Sequence, residues 1–259
     1  MISLNRELSL VKSQAFKQLC ILKADWFRLF DVTIWPLTFF LSITLFSTFL
    51  TKDPRAIAIG ALGVVGWRAL YHFSLEVSQM YMDEYWSGAI DYFMVSPVRT
   101  IHLALGGAIV ATVKFAFVAL LLYLLTGLLY SYWMPLSALA GACALLAAFG
   151  VELGVIMLGF NYYLGQDSFA FNYAISDVLA ILSGVFYPLA ILPQFLQQVA
   201  LIFPSTHAFL LTKQAAGGFE TFSLLPALAT LAVWAVIAVL ANRILFEKAR
   251  KEGKLLKLR

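Results

Sequence analysis

The chain has 259 residues, 62% of them hydrophobic and only 12% charged, with a mean hydropathy of +0.87. A soluble domain carries roughly 25% charged residues, so the composition excludes a water-soluble globular protein and points to an all-α polytopic membrane protein. The net charge of +4 gives no reason to expect nucleic acid as a partner, and Cys20 and Cys143 lie too far apart to read as a disulfide or a metal site.

Residues 1–29 read as an interfacial amphipathic helix. Leu8, Val11, Ala15, Leu19, Leu22, Trp26 and Leu29 recur at intervals of three and four, while Lys12, Gln14, Lys17, Gln18, Lys23 and Asp25 take other faces. The charges at helical spacing do not form a signal-peptide pattern. Such a helix serves as a membrane anchor or embraces a cytoplasmic partner. Residues 30–247 follow as a domain of six expected spans, at 30–50, 56–79, 103–130, 135–160, 171–188 and 222–245. The basic tail 248–259 suits anionic headgroups. With both termini inside, 13 Lys and Arg fall on the cytoplasmic side against Lys52, Arg55 and Lys213 outside, so the positive-inside rule predicts a multi-pass protein of the plasma (inner) membrane.

Between the second and third spans, Tyr81 to Thr100 reads as the one long cytoplasmic loop. A helix there would group Tyr85, Ala89, Tyr92, Phe93 and Ser96 on one face, carry Asp83, Glu84 and Asp91, and end at Pro97. Five ionisable groups fall at membrane depth: Arg68, Glu76, Lys114, Glu152 and Asp177, with His72 between the first two. Each is costly there and should find a partner. Arg68, His72 and Glu76 are four apart on one helix face. Counting residues from the turn near Tyr132 and Trp133 places Lys114 level with Glu152, which predicts that pair, and makes Asp177 the expected partner of Arg68. Gly150 and Gly154, flanking Glu152, permit a close helix approach. Interfacial belts account for Tyr130, Tyr132 and Trp133 at one end and for Tyr162 and Tyr163 at the other.

The segment 183–209 breaks its helix repeatedly. The expectation is a helix that stops at Pro188, turns at Pro193, continues as a half-helix and stops again at Pro204, all within 17 residues. Broken backbone survives in a bilayer only where it is buried in protein or lines a wet cavity, so the segment reads as a cap or gate.

Two of these stretches carry a resemblance. Gly88-Ala-Ile-Asp-Tyr-Phe-Met-Val-Ser-Pro97, with Glu84 four residues before the glycine, resembles the acidic loop element of ABC-2 type transporter permeases, with Ala89 where that family commonly has Thr. Ser183-Gly-Val-Phe-Tyr-Pro188, Leu192-Pro193 and Phe203-Pro-Ser-Thr-His-Ala208 resemble its second signature. The resemblance implies six-span subunits that pair, with an identical or similar second permease, above two copies of an ABC-type ATPase. It makes Glu84, Gly88, Asp91, Ser96 and Pro97 a helix that couples to the ATPase. It makes Ser183, Gly184, Pro188, Pro193, Pro204 and His207 an extracellular re-entrant half-helix cap. A lipidic, amphipathic or glycan-type substrate would be exported. ATP and Mg would sit on the partner ATPase, since this chain holds no phosphate-loop motif and is expected to have neither catalytic residues nor a metal of its own. The alternative is an ion- or proton-coupled secondary transporter that uses the intramembrane charges as a relay.

Overall fold

Long apolar runs close their backbone hydrogen bonds internally, and a computed structural model describes residues 4–51, 53–218 and 220–255 as ten α-helices with short 3-10 turns and, among those residues, no strand. Lys52, Lys257 and Arg259 lie outside the described residues, as do the side chains of residues 54–56, Arg55 included.

Helix α1 (Leu4–Ala24) ends at Asp25, whose carboxylate accepts the Phe27 N–H at 2.9 Å and opens α2 (Trp26–Leu50). A cap, not hydropathy, sets this boundary, so the first apolar helix starts before residue 30 and the amphipathic helix ends before residue 29. The buried face of α1 is Val11, Gln14, Ala15 and Gln18. Gln18 faces inward to bond Asp83 and Arg28, while Gln14 is buried against Gly106 with its Oε1 unpartnered.

Helix α3 (Pro54–Ser87) is 34 residues long and runs past the expected end at 79. It stands at the centre, packed along both α5 (Thr100–Tyr130) and α6 (Leu136–Leu164), which touch each other far less. Glycines permit this. A Cβ on Gly107 would lie 2.8 Å from the Val77 backbone, one on Gly150 would lie 2.7 Å from Phe73 Cβ, and one on Gly154 would lie 2.7 Å from the Ser74 carbonyl.

At Gly165 (φ +58°) the chain reverses into α7 (Phe169–Leu182). Asn161 Oδ1 accepts from Ser168 and from Asn172, each at 2.7 Å, and Ser176 Oγ lies 3.0 Å from Ser74 Oγ, so α7 runs back along the path of α6. It is only 14 residues long, about 21 Å at ~1.5 Å per residue against a hydrocarbon core of ~30 Å. The helix expected to reach Pro188 stops at Leu182. Gly184 (φ +63°) and the bond from Val185 N–H to the Ala180 carbonyl form a glycine C-cap well before the proline.

After a 3-10 turn at Leu189–Ile191 come α8 (Gln194–Ala200) and α9 (Pro204–Ala215), bent by 100° to each other, and then α10 (Leu224–Lys251). Pro193 precedes α8. Pro204 does not stop α8; it is the first residue of α9, a position where its missing N–H costs nothing. Among the described residues, four helical stretches are long and apolar enough to cross a membrane: Trp26–Leu50, Thr100–Tyr130, Leu136–Leu182 and Leu224–Lys251. They become five if the bent pair counts as one span. The six expected spans are thus not six qualifying helices: α3 is not among the four, and α7 is joined to α6 within one of them.

Candidate functional site

At the α1 end of the bundle, α3 gives way to a short elbow. Gly88 (φ +75°) turns the chain after Ser87, and the five-residue helix α4 (Ile90–Met94) follows, its start lacking a side-chain cap because Ala89 has no hydroxyl. The single helix expected over 84–97 is therefore two elements. Glu84 belongs to α3 and forms an ion pair with Lys17 of α1. Asp83 accepts from Gln18 Nε2 at 2.5 Å and from Arg28. These intramolecular partners hold α3 helical to its end and remove Glu84 from the exposed set. Asp91 is exposed in the first turn of α4, Tyr92 and Val95 are 81% and 84% exposed, and Ile90 is buried. Tyr92 therefore does not share a buried face with Tyr85 and Phe93. Ser96 Oγ accepts the Val98 N–H at 3.3 Å, and Pro97 is exposed.

The other root of the elbow is tied to α1 as well. The Glu7 carboxylate accepts from Arg99 at 2.6 Å and lies 2.5 Å from His102 Nε2. His102 Nδ1 accepts the Arg99 backbone N–H at 2.9 Å, so Nε2 carries the proton and donates to Glu7. Those hydrogen bonds, from His102 first and Arg99 second, hold the Glu7 carboxyl below the ordinary carboxylate range. Helix α1 thus grips the elbow at both ends.

Deeper in, the charges of α3 pair differently from the expectation. Arg68, 1% exposed, donates to the Asp31 backbone carbonyl at 3.0 Å, lies 3.5 Å from the Asp31 carboxylate, and stacks over the Tyr71 ring at 4.4 Å. Asp31, not Asp177, is its partner. Lys114 pairs with Glu76, each side chain 3% exposed, and not with Glu152. Two causes decide this. Helix α3 stands between α5 and α6, so consecutive helices are not neighbours here. Side chains also lean toward the N-terminus of their own helix, so Lys114 on α5 and Glu76 on the antiparallel α3 lean toward each other. His72, fully buried, has its Nε2 3.5 Å from Arg68. A cavity of about 270 Å³ opens beside these groups, lined in part by Arg28, Asp31, Trp35, Tyr71, Gln79 and Lys114. Asp177 is exposed on α7, and Glu152 lies on the far side of α6. The set expected to form one relay is thereby divided.

At the opposite end, the second signature is a set of fastenings. Ser183 Oγ and Ser205 Oγ lie 2.6 Å apart and buried. Thr206 Oγ1 donates to the Ala200 carbonyl at 2.6 Å, and His207 Nε2 lies 3.0 Å from the Leu201 carbonyl. Side chains of α9 thus bond back to carbonyls at the C-terminal end of α8. Sequence reasoning missed Lys213 and Glu220. Lys213 Nζ donates to the Tyr187 carbonyl at 2.6 Å and lies 3.3 Å from Glu220, which accepts the Leu189 N–H at 2.7 Å. With Pro188, they line a cavity of about 280 Å³. The signal was a lone lysine in an otherwise uncharged stretch, counted only for topology.

Tyr162 is also not a belt residue: it is 3% exposed, its ring 4.7 Å from Tyr81. Among the described residues, no group of three or more His, Cys, Asp or Glu is placed to hold a metal ion. No family model and no curated protein matches the chain.

Proposed function

We propose that the chain is the membrane (permease) subunit of an ATP-driven ABC-2 type exporter, moving a lipidic, amphipathic or glycan-type substrate outward with a separate ATPase subunit. The observation that carries this is the elbow at residues 88–99. It projects Asp91, Tyr92 and Val95 into solvent beyond the apolar helices, while α1 holds both of its roots. An apolar and acidic knob on a tethered base suits a groove on another protein, and force on it passes directly into α3 and α5. On this reading the α1 end faces the cytoplasm, two permease copies pair, and two ATPase copies carry ATP and Mg. The fastened, proline-broken segment 183–209 then caps the pathway on the outer side. The secondary-transporter reading gains nothing from the pairing, because Arg68 and Lys114 are taken up by Asp31 and Glu76 in separate pairs, and Glu152 stands apart from both.

The test is co-isolation. Wild-type chain purified from its native membrane should bring down an ATPase at stoichiometric level, and Asp91→Lys/Tyr92→Ala should lose it while remaining folded. Transport that needs no ATP, or unchanged ATPase binding in the double variant, would refute the assignment.

A further inference from the structure

One acid in the helical bundle has no partner. Glu152 sits 16 residues after Leu136 and 12 before Leu164, about 24 and 18 Å from the two ends of α6 at ~1.5 Å per residue. Its Oε2 is buried without a hydrogen-bond partner, and among the described residues Glu152 makes no ion pair. At ~100° per residue it lies about 160° around the helix from both Gly150 and Gly154, the two positions that meet α3, so it points away from Arg68, His72 and Glu76. It shares a line with Gly159, which meets Asn242 of α10. That asparagine is already engaged with the Val155 carbonyl and Thr100. Lys114 is engaged by Glu76, and Lys213 of α9 by Glu220.

A carboxylate without a counter-charge is not held in hydrocarbon; the group takes up a proton instead. We propose that Glu152 is a proton-binding site on the seam between α6 and α10, carried as the neutral acid, and therefore a modification site for hydrophobic carbodiimides. The inference rests on the helices lying in a bilayer and not on the transport assignment. The carboxyl proton passes to one carbodiimide nitrogen while the carboxyl oxygen adds to the central carbon, giving an O-acylisourea. The acyl group then shifts from oxygen to nitrogen, leaving a stable N-acylurea with every atom retained and no change in oxidation state.

The experiment treats the full chain in phosphatidylcholine liposomes with dicyclohexylcarbodiimide or with a water-soluble carbodiimide, and locates adducts by peptide mass spectrometry. The expected result is an adduct at Glu152 with the hydrophobic reagent alone, lost in Glu152→Gln, and none at Glu76. Lys114→Met, which strips Glu76 of its cation, should make Glu76 a second labelled site. An unlabelled Glu152, a Glu76 labelled equally in the wild type, or a Glu152 modified as fast by the water-soluble reagent would each overturn the proposal. Mapping the wild-type chain decides the matter even if a variant fails to fold.

Discussion

Replacing Lys114 by Met should destabilise the folded chain sharply, and a second substitution at Glu76 should restore most of the loss. Both side chains of the pair are 3% exposed, so solvent screening gives little relief. Removing one member of a buried pair leaves an uncompensated charge and costs about 3–5 kcal/mol, whereas replacing both by apolar groups of similar volume is often neutral. At about 2–4 °C per kcal/mol for a chain near this size, Lys114→Met should lower the melting temperature by roughly 6–20 °C in detergent. Lys114→Met/Glu76→Met should recover most of that, so that the double variant loses far less than the two single variants together. A second cycle serves as the control: Lys114→Met with Glu152→Gln should add within about 0.5 kcal/mol, because those side chains share no partner. The assay is thermal unfolding followed by size-exclusion fluorescence. Additivity with Glu76, or strong coupling with Glu152, would refute the pairing and the helix arrangement that produces it.

The Glu7 clasp predicts a pH dependence. Its carboxyl lies below the ordinary value of 4.5 in the folded chain, so its contribution is present above that value and lost as pH falls through the lower, folded one. Amide exchange in Leu4–Ala24, corrected for intrinsic rates, should rise as pH drops from neutral to below 4.5; Glu7→Gln should raise it at neutral pH and flatten the dependence. Gly150→Val should cost about 1–3 kcal/mol or more through overpacking, because its Cβ would lie 2.7 Å from Phe73 Cβ and 3.1 Å from the Leu70 carbonyl. Gly60→Ala, with nothing nearer than 3.4 Å, should be tolerated; equal melting temperatures for the two variants would contradict the packing.

Composition alone announces an all-helical chain that fits a membrane protein, because apolar runs of this length leave few other options. The ends of helices were less legible. Hydropathy cannot see Asp25 bonding the Phe27 amide, nor Gly184 closing α7 before Pro188, since both are backbone events set by one residue. Glu84 was misjudged because its partner, Lys17, lies 67 residues away. Depth counting placed Lys114 and Glu152 at one level and was silent about which helix stands between them. Asp31 escaped notice beside the expected start of the first span, although an acid one turn inside an apolar run is itself a signal. The Ser205-Thr206-His207 run was found by its resemblance, but its hydrogen bonds back to α8 and Ser183 follow from a bend that sequence spacing does not give.

Near Val77 and Ser74, three helices meet with almost nothing but backbone between them: Gly107 of α5 on one side of α3, and Gly150 and Gly154 of α6 on the other. Such a joint leaves Val77, Ser74 and Phe73 little room to repack, so the three helices pack there backbone close to backbone. Around that column lie shorter or separately capped pieces: α2, which Asp25 caps, the truncated α7, and the bent α8–α9 pair. The elbow and the fastenings of Ser183, Thr206 and Lys213 lie at opposite ends of this closely packed column.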